Sequence, residues 1–147
     1  MLDKGRIVSA FVVLLAIALI AGCGGGGGGS SSGDKTAPTI SSASATSPSS
    51  SSGGDVTITA VVTDDTAVQS VSAVVTDPDG NSSSALAMSL SSGITYAYSG
   101  YDAAENDNTS SATYTVVVSA TDSSGNTSTK SCTFTVPGET PPSPPSF

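Results

Sequence analysis

Aspartate and asparagine side chains in short turns are the residues of this chain that could do chemistry. Asp34 precedes the first Ser- and Thr-rich run, Asp64 and Asp65 follow a second run, and Asp122 and Asn126 bound a later turn. A calcium ion takes six to eight oxygen ligands, several of them from carboxylates. These five residues are therefore a candidate calcium site if the fold brings their turns together. In the alternative interpretation, each side chain bonds to the backbone of its own turn, where Asp and Asn are common.

The composition argues against most enzymatic chemistry and against nucleic-acid binding. The chain has no His, so a serine or cysteine nucleophile would lack its usual base. Lys and Arg total 4 against 12 Asp and Glu, a net charge of −8, which leaves almost no basic surface for phosphate groups. We therefore expect no enzyme, no catalytic residue, no nucleic-acid partner and no cofactor apart from the candidate calcium. A hydrolase with paired carboxylates is the remote alternative.

Period-two alternation of apolar residues indicates β-strands rather than helices after Lys35. The runs are separated by turn signals such as Asp-Pro-Asp-Gly-Asn at 77–81 and Asp-Ser-Ser-Gly-Asn at 122–126. Seven short strands in about 100 residues have the size of a two-sheet sandwich. The predicted strands cover residues 39–46, 55–63, 68–76, 83–90, 94–101, 112–121 and 127–136.

The alternation also predicts which side chains face the core. Leu86, Met88 and Leu90 share one face of the fourth run, and Ile94 shares a face with two tyrosines of the fifth. In the last run Cys132 is in phase with the following Phe and Val. It is therefore expected to be a small buried residue, with a reactive thiol or an intermolecular disulfide as the alternative.

The first residues have the pattern of a secretory signal. Lys4 and Arg6 form a basic start, and the apolar run Ile7–Ile20 is shorter than the roughly 20 residues that span a membrane. The run leads into Leu-Ile-Ala-Gly-Cys at 19–23, which resembles the lipobox of bacterial lipoprotein signal peptides. The resemblance implies that residues 1–22 are a signal peptide and that Cys23 carries a diacylglyceryl group as the mature N-terminus. An ordinary secretory signal with an unrelated cysteine is the alternative.

The residues after Cys23 suit a tether between a lipid anchor and a folded domain. Two or three acyl chains, as the resemblance implies, hold a protein firmly on a bilayer. Gly24–Gly33 contains only Gly and Ser, and such a chain spans about 17–19 Å on average. Residues 23–33 are therefore predicted to be a lipid-anchored linker. Enteric-type bacteria retain lipoproteins in the inner membrane when Asp follows the cysteine, so Gly24 favours the outer membrane of the cell envelope.

Three further motifs resemble bacterial immunoglobulin-like domains of surface and cadherin-like repeat proteins. They are Asp-Lys-Thr-Ala-Pro-Thr-Ile at 34–40, Val-Thr-Asp-Asp-Thr-Ala-Val-Gln-Ser-Val at 62–71, and Tyr-Thr-Val-Val-Val-Ser-Ala-Thr-Asp-Ser-Ser-Gly-Asn at 114–126. The resemblance implies an all-β, Ig-like, seven-stranded antiparallel sandwich over residues 34–137. The Pro-rich residues 138–147 form a tail that cannot join a sheet interior.

The topology of such a sandwich would sort the acidic residues between its two ends. Asp34, Asp64, Asp65, Asp122 and Asn126 would share one end, close to the calcium-binding arrangement of cadherin-like domains. We expect a lipid-anchored binding or structural module that presents its Ig-like domain to a protein or polysaccharide partner. A calcium-stabilised adhesion or spacer module is the alternative. The acids expected at the other end are Asp77, Asp79, Asp102, Glu105 and Asp107.

Overall fold

The computed structural model describes residues 33–141, and these residues form an all-β domain. The predicted class, with seven antiparallel strands, is confirmed. Residues 1–22, Cys23, the linker up to residue 32 and the tail from residue 142 lie outside the described residues. The strands are β1 (Thr39–Ala45), β2 (Gly54–Thr63), β3 (Val68–Thr76), β4 (Leu86–Ser92), β5 (Thr95–Ala103), β6 (Ala112–Asp122) and β7 (Thr127–Val136).

The seven strands form one continuous sheet in the order β1-β2-β5-β4-β3-β6-β7. Strand β4 joins the two halves, because Leu86 and Met88 pair with β3 whereas Ser89 and Leu90 pair with β5. A shift of register between Leu90 and Ser92 accompanies this change of partner. The domain is consequently closer to a barrel than to the two separate sheets of the expected sandwich. Within residues 33–141, no helix is long and apolar enough to cross a membrane.

Strands β1 and β7 are the two edges of this sheet, and side chains connect them. The Lys130 Nζ atom on β7 donates to the carbonyl oxygens of Ile40 at 3.3 Å and Ser41 at 2.8 Å. Farther along, the Thr135 backbone N–H donates to Ser47 Oγ at 3.1 Å. Both strands therefore run in the same direction, and the chain enters the barrel at one end and leaves it at the other.

These two ends are named here by the part of the chain that adjoins them. The tether end contains residues 34–38 and the turns at 63–67, 92–94 and 122–126. The tail end contains the connections at 46–53, 77–82 and 104–111, together with residues 137–141.

The core is built from alternate residues of the strands. In β2, for example, Val56, Ile58, Ala60 and Val62 are at most 1% exposed, and the residues between them face outward. Burying an aliphatic side chain of this size contributes about 1.5–3 kcal/mol. This shared apolar interior holds the end turns in fixed positions.

Aromatic rings fill the core towards the tail end. The ring of Phe134 stacks on Tyr114 with centroids 4.7 Å apart and planes 10° apart. The ring of Tyr101 meets Phe134 edge-on, with centroids 6.2 Å apart. Such pairs contribute about 0.5–1.5 kcal/mol beyond the burial of their area.

Two predicted core positions are wrong. Leu90 is 58% exposed and Ile94 is 51% exposed, although the alternation placed both in the core. They flank Gly93, whose φ of +56° marks the turn between β4 and β5. The register shift and the turn carry both side chains past the last layer of the core. Cys132 was also expected to be buried, but it is only half-buried against the edge of the core.

Candidate functional site

Three of the predicted calcium ligands lie together at the tether end. Asp34, Asp64 and Asp65 each place a carboxylate oxygen within 4.8 Å of the others, and this group is called the acid cluster below. Two negative charges about 4 Å apart repel by about 1 kcal/mol even at the dielectric constant of water. A cation bound among the three carboxylates would turn this repulsion into attraction.

Hydrogen bonds hold two members of the acid cluster, Asp34 and Asp64, in position. Asp34 accepts the Thr36 backbone N–H at 2.8 Å with Oδ1 and the Thr66 hydroxyl at 3.1 Å with Oδ2. Asp64 accepts the backbone N–H groups of Thr66 and Ala67 at 3.1 and 2.9 Å, both with Oδ2. The segment before β1 is thus tied to the turn between β2 and β3.

The second carboxylate oxygen of Asp64 differs from the first in its surroundings. Asp64 Oδ1 is buried and makes no hydrogen bond within the described residues. A carboxylate oxygen removed from water without a donor is costly, and such orphaned groups in folded proteins are few. Asp64 therefore keeps the capacity to accept one further donor group or a cation.

The Asp122 carboxylate accepts hydrogen bonds from its own turn and lies outside the acid cluster. Its Oδ1 accepts the backbone N–H groups of Ser124 and Asn126, both at 2.8 Å, and its Oδ2 accepts the Asn126 side chain at 2.7 Å. Burial raises the pKa of Asp122, but these hydrogen bonds lower it by more, so the pKa is below its ordinary value. The carboxylate therefore stays ionised inside the turn without a metal.

Asn126 connects this turn to the chain that precedes β1. Its side-chain Nδ2 group donates to the carbonyl oxygens of Asp34 at 3.0 Å and Thr36 at 3.3 Å, as well as to Asp122. In this arrangement Asn126 acts as a donor and holds Asp34 in place. The structure thus places the five predicted residues at one end, with three in the acid cluster and two in an adjoining turn.

A second turn with the same spacing shows what the Asp-x-x-Gly-Asn pattern does. Asp77 Oδ1 accepts the backbone N–H groups of Asp79 and Asn81 at 3.0 and 2.8 Å, and Asp77 Oδ2 accepts the Asn81 side chain at 2.9 Å. The Asn81 side chain is the main cause of a lowered Asp77 pKa, which burial only partly opposes. In both turns the glycine before Asn has a positive φ, +87° at Gly80 and +91° at Gly125.

An open groove borders the acid cluster. It has a volume of about 230 Å³ and is called the apolar groove below. Sequence reasoning missed it because Leu90 and Ile94 were assigned to the core. Gly93, which lies between Leu90 and Ile94, was the sequence signal for a turn that exposes both side chains. The groove is lined by Val62, Thr63, Asp64, Val68, Leu90, Gly93, Ile94 and Tyr96.

The acids of the tail end surround a different pocket, of about 260 Å³. Asp77, Asp79, Glu105 and Asp107 line it together with the buried ring of Tyr114. Burial raises the pKa of the Tyr114 hydroxyl, and the negative charge of Asp77 raises it further. This hydroxyl is therefore neutral at ordinary pH.

Asn106 fixes the loop beside that pocket, and nothing in the sequence pattern marked it. It is 4% exposed, and its Nδ2 group donates to the carbonyl oxygens of Ser110 at 2.8 Å, Pro137 at 3.1 Å and Val136 at 3.3 Å. The loop is thereby attached to the start of the tail.

No protein-family model matches this chain, and no curated protein matches it.

Proposed function

We propose that this chain is a lipid-anchored module of the cell envelope that presents an Ig-like domain to a protein or polymer partner. The observation that carries the proposal is the tether end of the barrel, where the apolar groove adjoins the acid cluster. Such a surface suits binding, because apolar side chains supply contact area and charged groups set orientation. The proposal assigns no catalytic reaction to the chain.

The lipobox-like segment supports the anchor. Acylation of Cys23 would hold the module on the membrane through a Gly-rich linker, which leaves the barrel free to meet a partner. The outer membrane is the proposed location, since Gly24 follows the cysteine.

Cell fractionation tests the anchor. Cys23→Ser should move the protein from the membrane fraction to the soluble fraction, because no acyl chain can be attached. Cys132→Ser is the matched control, since it removes the other cysteine, which is half-buried in β7, and it should leave the protein with the membrane. A Cys23→Ser protein that stays membrane-bound after residues 1–22 have been removed would refute the lipid anchor.

A second candidate function is a calcium-stabilised adhesion or spacer module. The specific observation in its favour is the acid cluster, in which Asp64 Oδ1 makes no hydrogen bond to the part of the chain that the structure describes. Each of the three carboxylates offers one oxygen within 4.8 Å of the others, and water or carbonyl oxygens would complete the set that calcium prefers. A cation there would lock the segment at Asp34 onto the turn at Asp64 and stiffen the junction with the linker. Thermal unfolding with and without calcium tests this candidate.

A further inference from the structure

The apolar groove and the acid cluster share one residue, Asp64, and so form one continuous surface. Asp64 lines the groove and also places a carboxylate oxygen within 4.8 Å of Asp34 and Asp65. The apolar part of this surface is thus bordered by the three carboxylates of the acid cluster. A ligand that fills the groove would also lie beside the three carboxylates.

The groove offers apolar contacts that the fold itself does not use. Leu90 and Ile94 are the exposed large hydrophobic residues of the described chain, at 58% and 51% exposure. The groove volume of about 230 Å³ exceeds the roughly 150 Å³ that admits a benzene molecule in an engineered cavity. One aliphatic side chain from a partner therefore fits between them.

The acid cluster favours positive charge in a ligand that fills the groove. Asp64 Oδ1 is buried and has no donor among residues 33–141, and the Nζ atom of Lys130 donates to two carbonyl oxygens of β1. The protein as a whole carries a net charge of −8. A cationic group next to the aliphatic one would complement this end of the barrel.

We propose that the apolar groove and the acid cluster form a docking site for a protein segment that places an aliphatic side chain beside a lysine or arginine. The aliphatic group occupies the space between Leu90 and Ile94, and the cation lies among the carboxylates. The inference rests on the proposed binding function and names the surface and the partner chemistry. An anionic bilayer is the less favoured occupant, since three carboxylates would repel its headgroups.

A peptide titration tests the site. The protein is the full chain carrying Cys23→Ser and labelled with ¹⁵N, and the probe is the synthetic peptide acetyl-Ser-Lys-Leu-Lys-Ser-amide. Amide signals of Asp64, Val68 and Ile94 should shift on binding. The double variant Leu90→Ser, Ile94→Ser should weaken binding about tenfold, because both apolar walls are lost. Asp65→Asn should weaken it roughly two- to fivefold, as expected for an exposed ion pair.

Two controls separate the site from general effects. Val117→Ser changes a half-buried apolar residue on the outer face of β6, away from the groove, and should leave the affinity unchanged. Probe peptides with Leu replaced by Ser, or with both Lys replaced by Glu, should bind at least tenfold more weakly without any change to the protein.

Equal affinity of the wild type and the double variant would overturn the proposal. So would shifts confined to the tail-end pocket around Asp107, because the peptide would then follow charge alone. Binding to phosphatidylglycerol vesicles that needs Leu90 and Ile94, without peptide binding, would assign the surface to a bilayer instead. If the peptide test fails while Cys23→Ser still releases the protein from membranes, only the docking site is refuted and the anchored module stands.

Discussion

The second candidate function predicts that calcium raises the melting temperature of this protein through the acid cluster. The cation would bind the folded state, in which turn hydrogen bonds hold Asp34 and Asp64 beside Asp65. The unfolded chain keeps Asp34 far in sequence from the other two and offers no comparable site. Binding to the folded state alone must stabilise it.

The size of the effect follows from the affinity of such sites. Extracellular calcium modules bind with dissociation constants of about 10⁻⁴–10⁻³ M. At about 10 mM calcium, the free energy of unfolding should then rise by about 1.4–2.7 kcal/mol. For a domain of about 100 residues this corresponds to an increase of roughly 6–20 °C in melting temperature.

Circular dichroism melts in EDTA and in calcium measure this shift. Asp65→Asn should reduce it, because Asp65 is exposed and its loss removes a ligand with little effect on folding. Asp79→Asn is the matched control, since it removes the same charge from the tail end. Magnesium at the same concentration controls for ionic strength and should have a smaller effect.

Two results would refute this reasoning. A melting temperature that is the same in EDTA and in calcium would show that the three aspartates stabilise their turns and bind no calcium. A shift that Asp79→Asn removes and Asp65→Asn leaves unchanged would move the calcium site to the tail end.

Three further predictions concern turns and the thiol. Gly53→Ala should cost roughly 1–3 kcal/mol or more of stability in denaturant melts, because φ is +72° and the new Cβ would overlap the last carbonyl oxygen of β5. Gly80→Ala should cost only about 1 kcal/mol, since its φ is positive but the space is open; equal losses would contradict the steric argument. The lowered pKa values of Asp77 and Asp122 predict stability that is complete above about pH 5 and is lost as the pH falls below about 4. Asp→Asn at either position should flatten the acid side of a melting profile, and an unchanged acid side in both variants would disprove the linkage. Burial raises the pKa of the Cys132 thiol, so a disulfide reagent at pH 8 should modify it more slowly than free cysteine and faster after unfolding; equal rates would show that the thiol is accessible.

The strands of this fold could be predicted because the apolar alternation is regular and the turns contain Gly, Pro, Asp and Asn. The predicted segments 68–76 and 127–136 match β3 and β7 in full. The alternation pattern predicts only that residues i and i+2 of one strand lie on the same face of the sheet. It therefore placed Leu90 with Met88, although β4 changes partner between them.

The sequence could predict which residues of the candidate site lie at the same end of the barrel, but not how their side chains are bonded. Turn chemistry and the family resemblance placed Asp34, Asp65 and Asp122 together, and the structure has all three at the tether end. Sequence could not tell which carboxylates are left for a cation, because that depends on hydrogen bonds over long separations. The Asn126 side chain, for instance, reaches the carbonyl of Asp34 across 92 positions.

The parallel run of β1 and β7 determines how this domain responds to tension. Because the chain enters at one end and leaves at the other, a pull on residue 34 against residue 137 draws these strands along their own lengths in opposite senses. Antiparallel hydrogen bonds lie across the strands, so the β1–β2 and β6–β7 ladders are loaded in shear and must break together. The β6–β7 ladder has ten paired positions and the β1–β2 ladder has six, so β1 is the strand that yields first.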